Sequence, residues 1–342
     1  DARQTIIDVN GEQVNKQTFL NAYNYTLTMQ QYYAQMMQQF GGDGSVDESS
    51  VLQSTLDNYI SSLVLSQKAR ELGMDQFTDA ELAELQAKAQ EEYDKQLESI
   101  RASNFATSEL EGDALTAEVT AYASANGYTL DYQLEAVKSD KISERLKASV
   151  TDSVTITDAD VQAALDKQVA SEKETYEKTP AVYGTRVNAG TTVYYTPAGY
   201  RTIRVISVSK PTEEGASPDE ARQQIDALYA RLAAGEAFET LTEDVKTYAV
   251  CADSATPEAE VVSAAMQLTD ALSYTEVVET EKAFYIAQLV EELPEHAATL
   301  EEARASLYAS TLADAQNAAY NEAVQAWINA ADVKTYTDRL SN

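Results

Sequence analysis

The spacing of apolar residues changes twice along this chain, and each change limits what the chain can fold into. In the first half they recur every third or fourth position. Phe19, Leu20, Tyr23, Leu27, Tyr33, Met36, Met37 and Phe40 form one such run, and Leu52, Leu56, Ile60, Leu63 and Val64 form the next. That is the period of helices burying one face. Residues 200–208 and 283–290 are instead short runs rich in Val, Ile and aromatic residues, which read as strands. After Pro294 the helical period returns over residues 300–330, carrying Leu307, Leu312, Ala315, Ala319, Val324 and Trp327. The expected class is α+β, predominantly α.

Local signals punctuate this pattern. Thr5-Ile6-Ile7-Asp8-Val9 reads as a strand, and Asn10-Gly11 is a hairpin turn signal. Gly41-Gly42-Asp43-Gly44 ends the first helix, residues 45–50 cap the second, and Gly73 stops it. Thr78 with Glu81 three residues on is a capping box opening a third helix. Small polar residues at 124–127 mark a break, and helix resumes over 130–150. Residues 154–161 read as a strand end running into a capped helix that fades near Tyr176. Residues 180–199 mix Gly, Thr, Val and Tyr and read as β and turn material. From Tyr200 the expected order is strand, helix, helix, irregular segment, helix, strand. The first of these helices runs from Ser217, with Pro218 at its first turn, to Leu232 near Gly235. The second starts at Phe238-Glu239-Thr240-Leu241, and the third covers 261–272. Residues 332–336 read as a last short strand.

Charge and rare residues exclude several function classes. The 56 acidic against 25 basic side chains give a net charge of −31, a field that repels phosphate backbones and anionic headgroups, so no nucleic-acid partner is expected. One cysteine, Cys251, leaves no intramolecular disulfide, and one histidine, His296, leaves too few ligands for a His/Cys metal site. No metal and no cofactor are expected. His296 sits in a polar joint, Leu293-Pro294-Glu295-His296, and reads as a surface residue rather than a base. No apolar run reaches the ~18–20 residues that span a bilayer. The first residue, Asp1, suggests that a preceding segment was removed.

The order of these pieces resembles the SurA/PrsA group of extracytoplasmic foldases. Ile7-Asp8-Val9-Asn10-Gly11-Glu12-Gln13-Val14-Asn15 is similar to their opening strand, turn and helix start. Leu56-Asp57-Asn58-Tyr59-Ile60 with Ala69-Arg70-Glu71-Leu72-Gly73 is similar to their second helix, Thr155 to Val161 to the lead-in to their central domain, and Leu300-Glu301-Glu302-Ala303-Arg304 with Trp327-Ile328 and Val333 to their return helix. Residues 230–241, Ala264-Ala265-Met266-Gln267-Leu268 and Ala283-Phe284-Tyr285-Ile286 resemble a parvulin domain. The resemblance implies a helical chaperone domain made from both chain ends, residues 1–178 and 295–342, with a parvulin-like β-α domain at 179–294 inserted between them. It also implies an extracytoplasmic address, with any lipid anchor on a residue outside this chain.

A parvulin twists X-Pro bonds, whose uncatalysed exchange takes tens of seconds. Here the pocket departs from the pattern. The family's His-Ile-Leu motif aligns with Val205-Ile206-Ser207, its second histidine with Tyr285, its pocket phenylalanine with Val261, and its Cys/Asp position with Cys251. Its Gly-rich loop is missing, since residues 252–260 contain no glycine. Val cannot supply the hydrogen bonds of an imidazole, and Tyr supplies only some. The implied activity is therefore chaperone or foldase binding of unfolded or exported polypeptides, with isomerase chemistry lost. An active isomerase with a rewired pocket and a surface scaffold for one dedicated partner are the alternatives, and whether the chain is an enzyme stays open. The expected client surface is Tyr25, Met29, Tyr32, Tyr33 and Met36, in a stretch rich in adaptable Met and Tyr and free of charge. Burial of the same stretch in the core, against the helix carrying Leu312 and Trp327, or in a homodimer, is equally open.

Overall fold

The computed structural model describes residues 1–213 and 216–341. In chain order the elements are β1 (Thr5–Val9), β2 (Glu12–Asn15), α1 (Lys16–Gln38), α2 (Glu48–Glu71), α3 (Asp79–Asn104), α4 (Gly112–Ala125) and α5 (Leu130–Thr151). Then come α6 (Asp158–Lys178), α7 (Ala181–Asn188), β3 (Tyr195–Thr196), β4 (Tyr200–Ser209), α8 (Asp219–Ala233), β5 (Lys246–Val250) and α9 (Ala259–Ala265). The rest are β6 (Val278–Glu279), β7 (Ala283–Leu293), β8 (His296–Ala297), α10 (Leu300–Ala330) and β9 (Val333–Thr335). The fold is α+β and predominantly α.

The chain divides into two compact units, residues 1–155 with 314–342, and residues 156–313. In the first unit both chain ends share one antiparallel sheet, ordered β2-β1-β9. Asn10 and Gly11 take positive φ of 52° and 90°, the backbone that a two-residue turn between twisted strands requires. Asn10 also grips the far end of the chain. Its N–H donates to Asp332 O (2.9 Å) and its side-chain Oδ1 accepts from Asp332 N (2.8 Å). Ile6, Ile7, Val9 and Phe19 are fully buried in this core, against Leu56 and Val64 of α2 and Trp327 and Ile328 of α10. A second layer joins α3 to α5 through Leu85, Ala89 and Val137, and α3 to α4 through Ile100, Leu115, Val119 and Ala123. Arg145 of α5 donates to Met74 O (3.0 Å) and Gln76 O (2.8 Å), pairs with Glu81 and lies over the Phe77 ring.

The second unit is built on an antiparallel sheet ordered β5-β4-β7-β6. One face packs on α8 through Ile206, Ile225, Phe284 and Ile286, and the other on α9 through Ile203, Val205, Val261 and Tyr285. The expected boundaries at 178/179 and 294/295 differ from the observed division. Helix α6 belongs with the second unit because Val161 and Leu165 pack on Ala303 and Leu307 of α10, and Tyr176 packs among Tyr183, Tyr195 and Tyr200.

Several local expectations also differ. The helix opened at Thr78 breaks at residues 105–111, and the break expected at 124–127 falls at 126–129. Residues 154–157 form no strand; extended backbone at Thr157 instead serves the capping box with Asp160. The expected β and turn material at 180–199 contains helix α7, held by tertiary contacts. Gly184 packs so closely that a Cβ there would lie 2.7 Å from Ala249 O. Phe238–Thr240 is one 3₁₀ turn rather than a helix, and the chain then forms β5. Helix α9 is shorter than the 261–272 expected, and Pro218 caps α8 from just outside it.

Ile7 tests the shared core. Replacing a fully buried Ile with Ala removes its packing and leaves a cavity, so Ile7→Ala should cost about 2–5 kcal/mol. Urea unfolding, followed by the fluorescence of Trp327 in the same cluster, checks this.

Candidate functional site

Two places carry the residues singled out from the sequence, one in each unit. In the first unit they lie on α1. The Asn15 side chain caps this helix by accepting from Thr18 N. Its first turns are anchored by Phe19, which is fully buried, and Tyr23. Farther along, the helix is uncovered. From Thr28 to Phe40 every residue except Ala34 is exposed. Tyr25 is 70% exposed, Met29 36%, Tyr32 61%, Tyr33 54% and Met36 39%. Met37 (55%) and Phe40 (79%) extend the same surface and were not among the expected contact residues. The signal for them was present, because no charged residue occurs from Gln17 to Gly42. Tyr32 and Tyr33 meet edge to face, with ring centroids 5.9 Å apart. An exposed apolar surface rimmed by polar residues is the ordinary signature of an interaction site.

The same unit holds a cleft of about 850 Å³ between α2, α3 and α5. Ser61, Ser62, Ser66, Ser139 and Ser143 line it with hydroxyls, while Leu65, Phe77, Leu82 and Ile142 supply apolar surface. Tyr320 of α10 closes part of it, and burial pushes its phenol pKa up.

In the second unit, Val205, Val261 and Tyr285 come together in one cluster, at 3%, 0% and 9% exposure. Ile203, Val250, Val262, Ala265 and Ala287 surround them. Arg201 holds α9 over this face by donating to Ala265 O (2.9 Å) and Leu268 O (2.8 Å). The Tyr285 hydroxyl donates to Glu258 Oε1 at 3.4 Å, a long bond. Burial and then the Glu258 carboxylate hold its phenol pKa above 10. The Tyr285 hydroxyl is therefore neutral at neutral pH, beside the Glu258 side chain and over apolar ones. The one histidine, His296, is exposed on β8 and bonds Glu302 (3.0 Å), which also caps α10 through Thr299.

Cys251 is not part of that cluster. It is buried with Tyr176, Tyr183, Tyr195, Tyr200 and Ala249. Its N–H donates to Ser254 Oγ (3.0 Å), whose hydroxyl points back at Sγ (3.6 Å). Tyr200 donates to Pro180 O (2.6 Å) and accepts from Gly184 N (3.0 Å), and burial raises its pKa strongly. Tyr195 donates to Glu295 (2.5 Å), which pushes its pKa up to about 12. Among the described residues no group of three or more His, Cys, Asp and Glu is placed to hold a metal, and no helix is long and apolar enough to cross a membrane.

Tyr285 should titrate above the ordinary phenol value. A pKa raised in the folded state adds stability below the unfolded value near 10, and that stability is lost as pH rises through the folded value. Ultraviolet titration of the wild type against Tyr285→Phe should show the missing phenol in this high range. The weak hydrogen bond predicts a stability loss of no more than ~1 kcal/mol at neutral pH.

No family profile matches the sequence, and no curated protein matches it. Among solved structures it is similar to one of two SurA-like chaperones of Campylobacter jejuni, at 9% identity and a TM-score of 0.35, over 97% of this chain and 98% of that one. It is also similar to PrsA from Bacillus subtilis (17% identity, TM-score 0.23, 97% and 94% of the two chains). A third likeness is to the foldase protein PrsA of Streptococcus pneumoniae (15% identity, TM-score 0.24, 96% and 93%).

Proposed function

We propose that the protein is an extracytoplasmic chaperone that holds unfolded or exported polypeptides on the uncovered part of α1. The observation that carries this reading is the exposure of Tyr25, Tyr32, Tyr33, Met36, Met37 and Phe40 on a helix without charge. Met bends to fit irregular apolar partners, and Tyr offers a flat apolar ring with a polar tip. Neither demands a particular sequence, which suits clients that share only exposed apolar side chains. The remaining surface is strongly acidic, which keeps a protein with such an arm in solution.

The second unit acts in this reading as a packed module without isomerase chemistry. Support comes from the apolar packing of Val205 and Val261, the placement of Cys251 in a separate cluster, and the exposure of the one histidine on β8, where it bonds Glu302.

Two measurements test the proposal. Equimolar protein should suppress aggregation of a thermally unfolding client enzyme. The combined variant Tyr32→Ser, Met36→Ser and Phe40→Ser should lose most of that protection. Its own stability should change little, since exposed side chains away from special features move it by about 0.5 kcal/mol each at most. Equal protection by variant and wild type would remove α1 from the function. In a protease-coupled proline-peptide assay the wild type should not exceed the uncatalysed rate; activity that disappears in Tyr285→Phe would favour a rewired isomerase instead.

A further inference from the structure

Strand β5 pairs with β4 only from Arg201–Val250 to Val205–Lys246. Strand β4 continues alongside β7 out to Ser209–Ala283. Beyond Val205, β4 therefore has a neighbour on one side. The parity of the ladder says which peptide groups are affected. Lys210 N donates to Lys282 O (2.8 Å), so even-numbered residues of β4 face β7. On β7 the odd-numbered residues turn the other way, with Thr275 N donating to Ala287 O and Leu289 N to Ser273 O. Residues that exchange bonds alternate with residues whose groups point outward. Ser207 and Ser209 thus aim their N–H and C=O at the side that β5 has left. Among the described residues, no partner from the segment before β5 reaches them.

A cleft of about 630 Å³ opens at this edge. Ser207 and Ser209 line it together with Leu228 and Arg231 of α8 and with Leu241 and Asp244 of the diverging chain. Arg231 is already held, by Glu236 and by Leu241 O (3.2 Å). Lys246 Nζ stands 4.0 Å from Asp244, at the limit of an ion pair. The adjoining Glu243 is exposed, and the whole chain carries −31.

We propose that this cleft takes an extended, basic polypeptide segment that adds to β4 as a strand at Ser207 and Ser209. Unpaired peptide groups in a cleft match a peptide backbone, and only an extended segment has such groups free to pair. Alternate apolar side chains would lie toward Leu228, and a Lys or Arg toward Asp244. This docking place is separate from α1 and requires no client capture there.

The test is titration calorimetry of the full chain with a short peptide that alternates valine and threonine and ends in paired lysines. Two further peptides carry N-methyl groups on alternate residues, one in each frame. The expected result is binding by the parent, a loss of at least about tenfold in one methylated frame, and retention in the other. Ser207→Pro removes the edge-facing N–H while sparing the bonds to β7, and should lower parent binding to the same degree. Where that variant fails to unfold cooperatively, the methylated pair on the wild type decides. Asp244→Asn should weaken binding and flatten its salt dependence. Undetectable parent binding, or equal binding by all three peptides, overturns the proposal. Sedimentation showing a dimer that Ser207→Pro abolishes would also overturn it, giving the edge to a second copy.

Discussion

Asn10 joins the two ends of the chain, and the first unit is organised around that junction. The residue turns the hairpin with a left-handed backbone and then uses both its N–H and its side chain on Asp332. Strand β1 is thereby flanked on both sides, by β2 and by β9, and its Ile6, Ile7 and Val9 can all be fully buried. Closing so long an intervening chain is less costly than it sounds, because each doubling of a loop adds only about 0.6 kcal/mol. Within that intervening chain, residues 156–313 form a compact unit of their own. Helix α1 leaves directly from β2 through the Asn15 cap, so the sheet fixes where the helix starts and its length carries it beyond the apolar core.

What could be read from the sequence was mostly what is decided locally. The Asn-Gly turn, the capping box at Thr78 and the long amphipathic run from Leu300 to Ala330 each depend on residues within one or two turns of each other. Helix α7 and strand β5 were missed for the opposite reason. A helix of Ala181-Val182-Tyr183-Gly184-Thr185 exists because Gly184 can press against Tyr200 and Ala249, and β5 exists because β4 offers it an edge. Neither partner is near in sequence. Helix α6 packs on Ala303 and Leu307 of the long return helix, which the sequence grouped with it; the periodicity of α10 does not show that its first half and its second half serve different compact units.

The candidate sites divide the same way. The Met and Tyr content of α1 was visible as composition, but its exposure was not, since an apolar helix face looks alike whether covered or bare. In the second unit, Val205, Val261 and Tyr285 converge because they sit on one face of a sheet and on the helix packed against it. Cys251 follows β5 and turns instead into the tyrosine cluster, a choice set by the path of a strand the sequence did not announce.

The uncharged stretch from Gln17 to Gly42 stands on a polyanion. Two copies approaching arm to arm would bring their acidic bodies near each other, and like charge resists this within the ionic atmosphere, about 8 Å deep at physiological salt. A neutral or cationic chain meets no such barrier. On the proposed reading of α1, the molecule's own charge would thus work against self-association more than against other chains, and less so as the surrounding electrolyte becomes more concentrated.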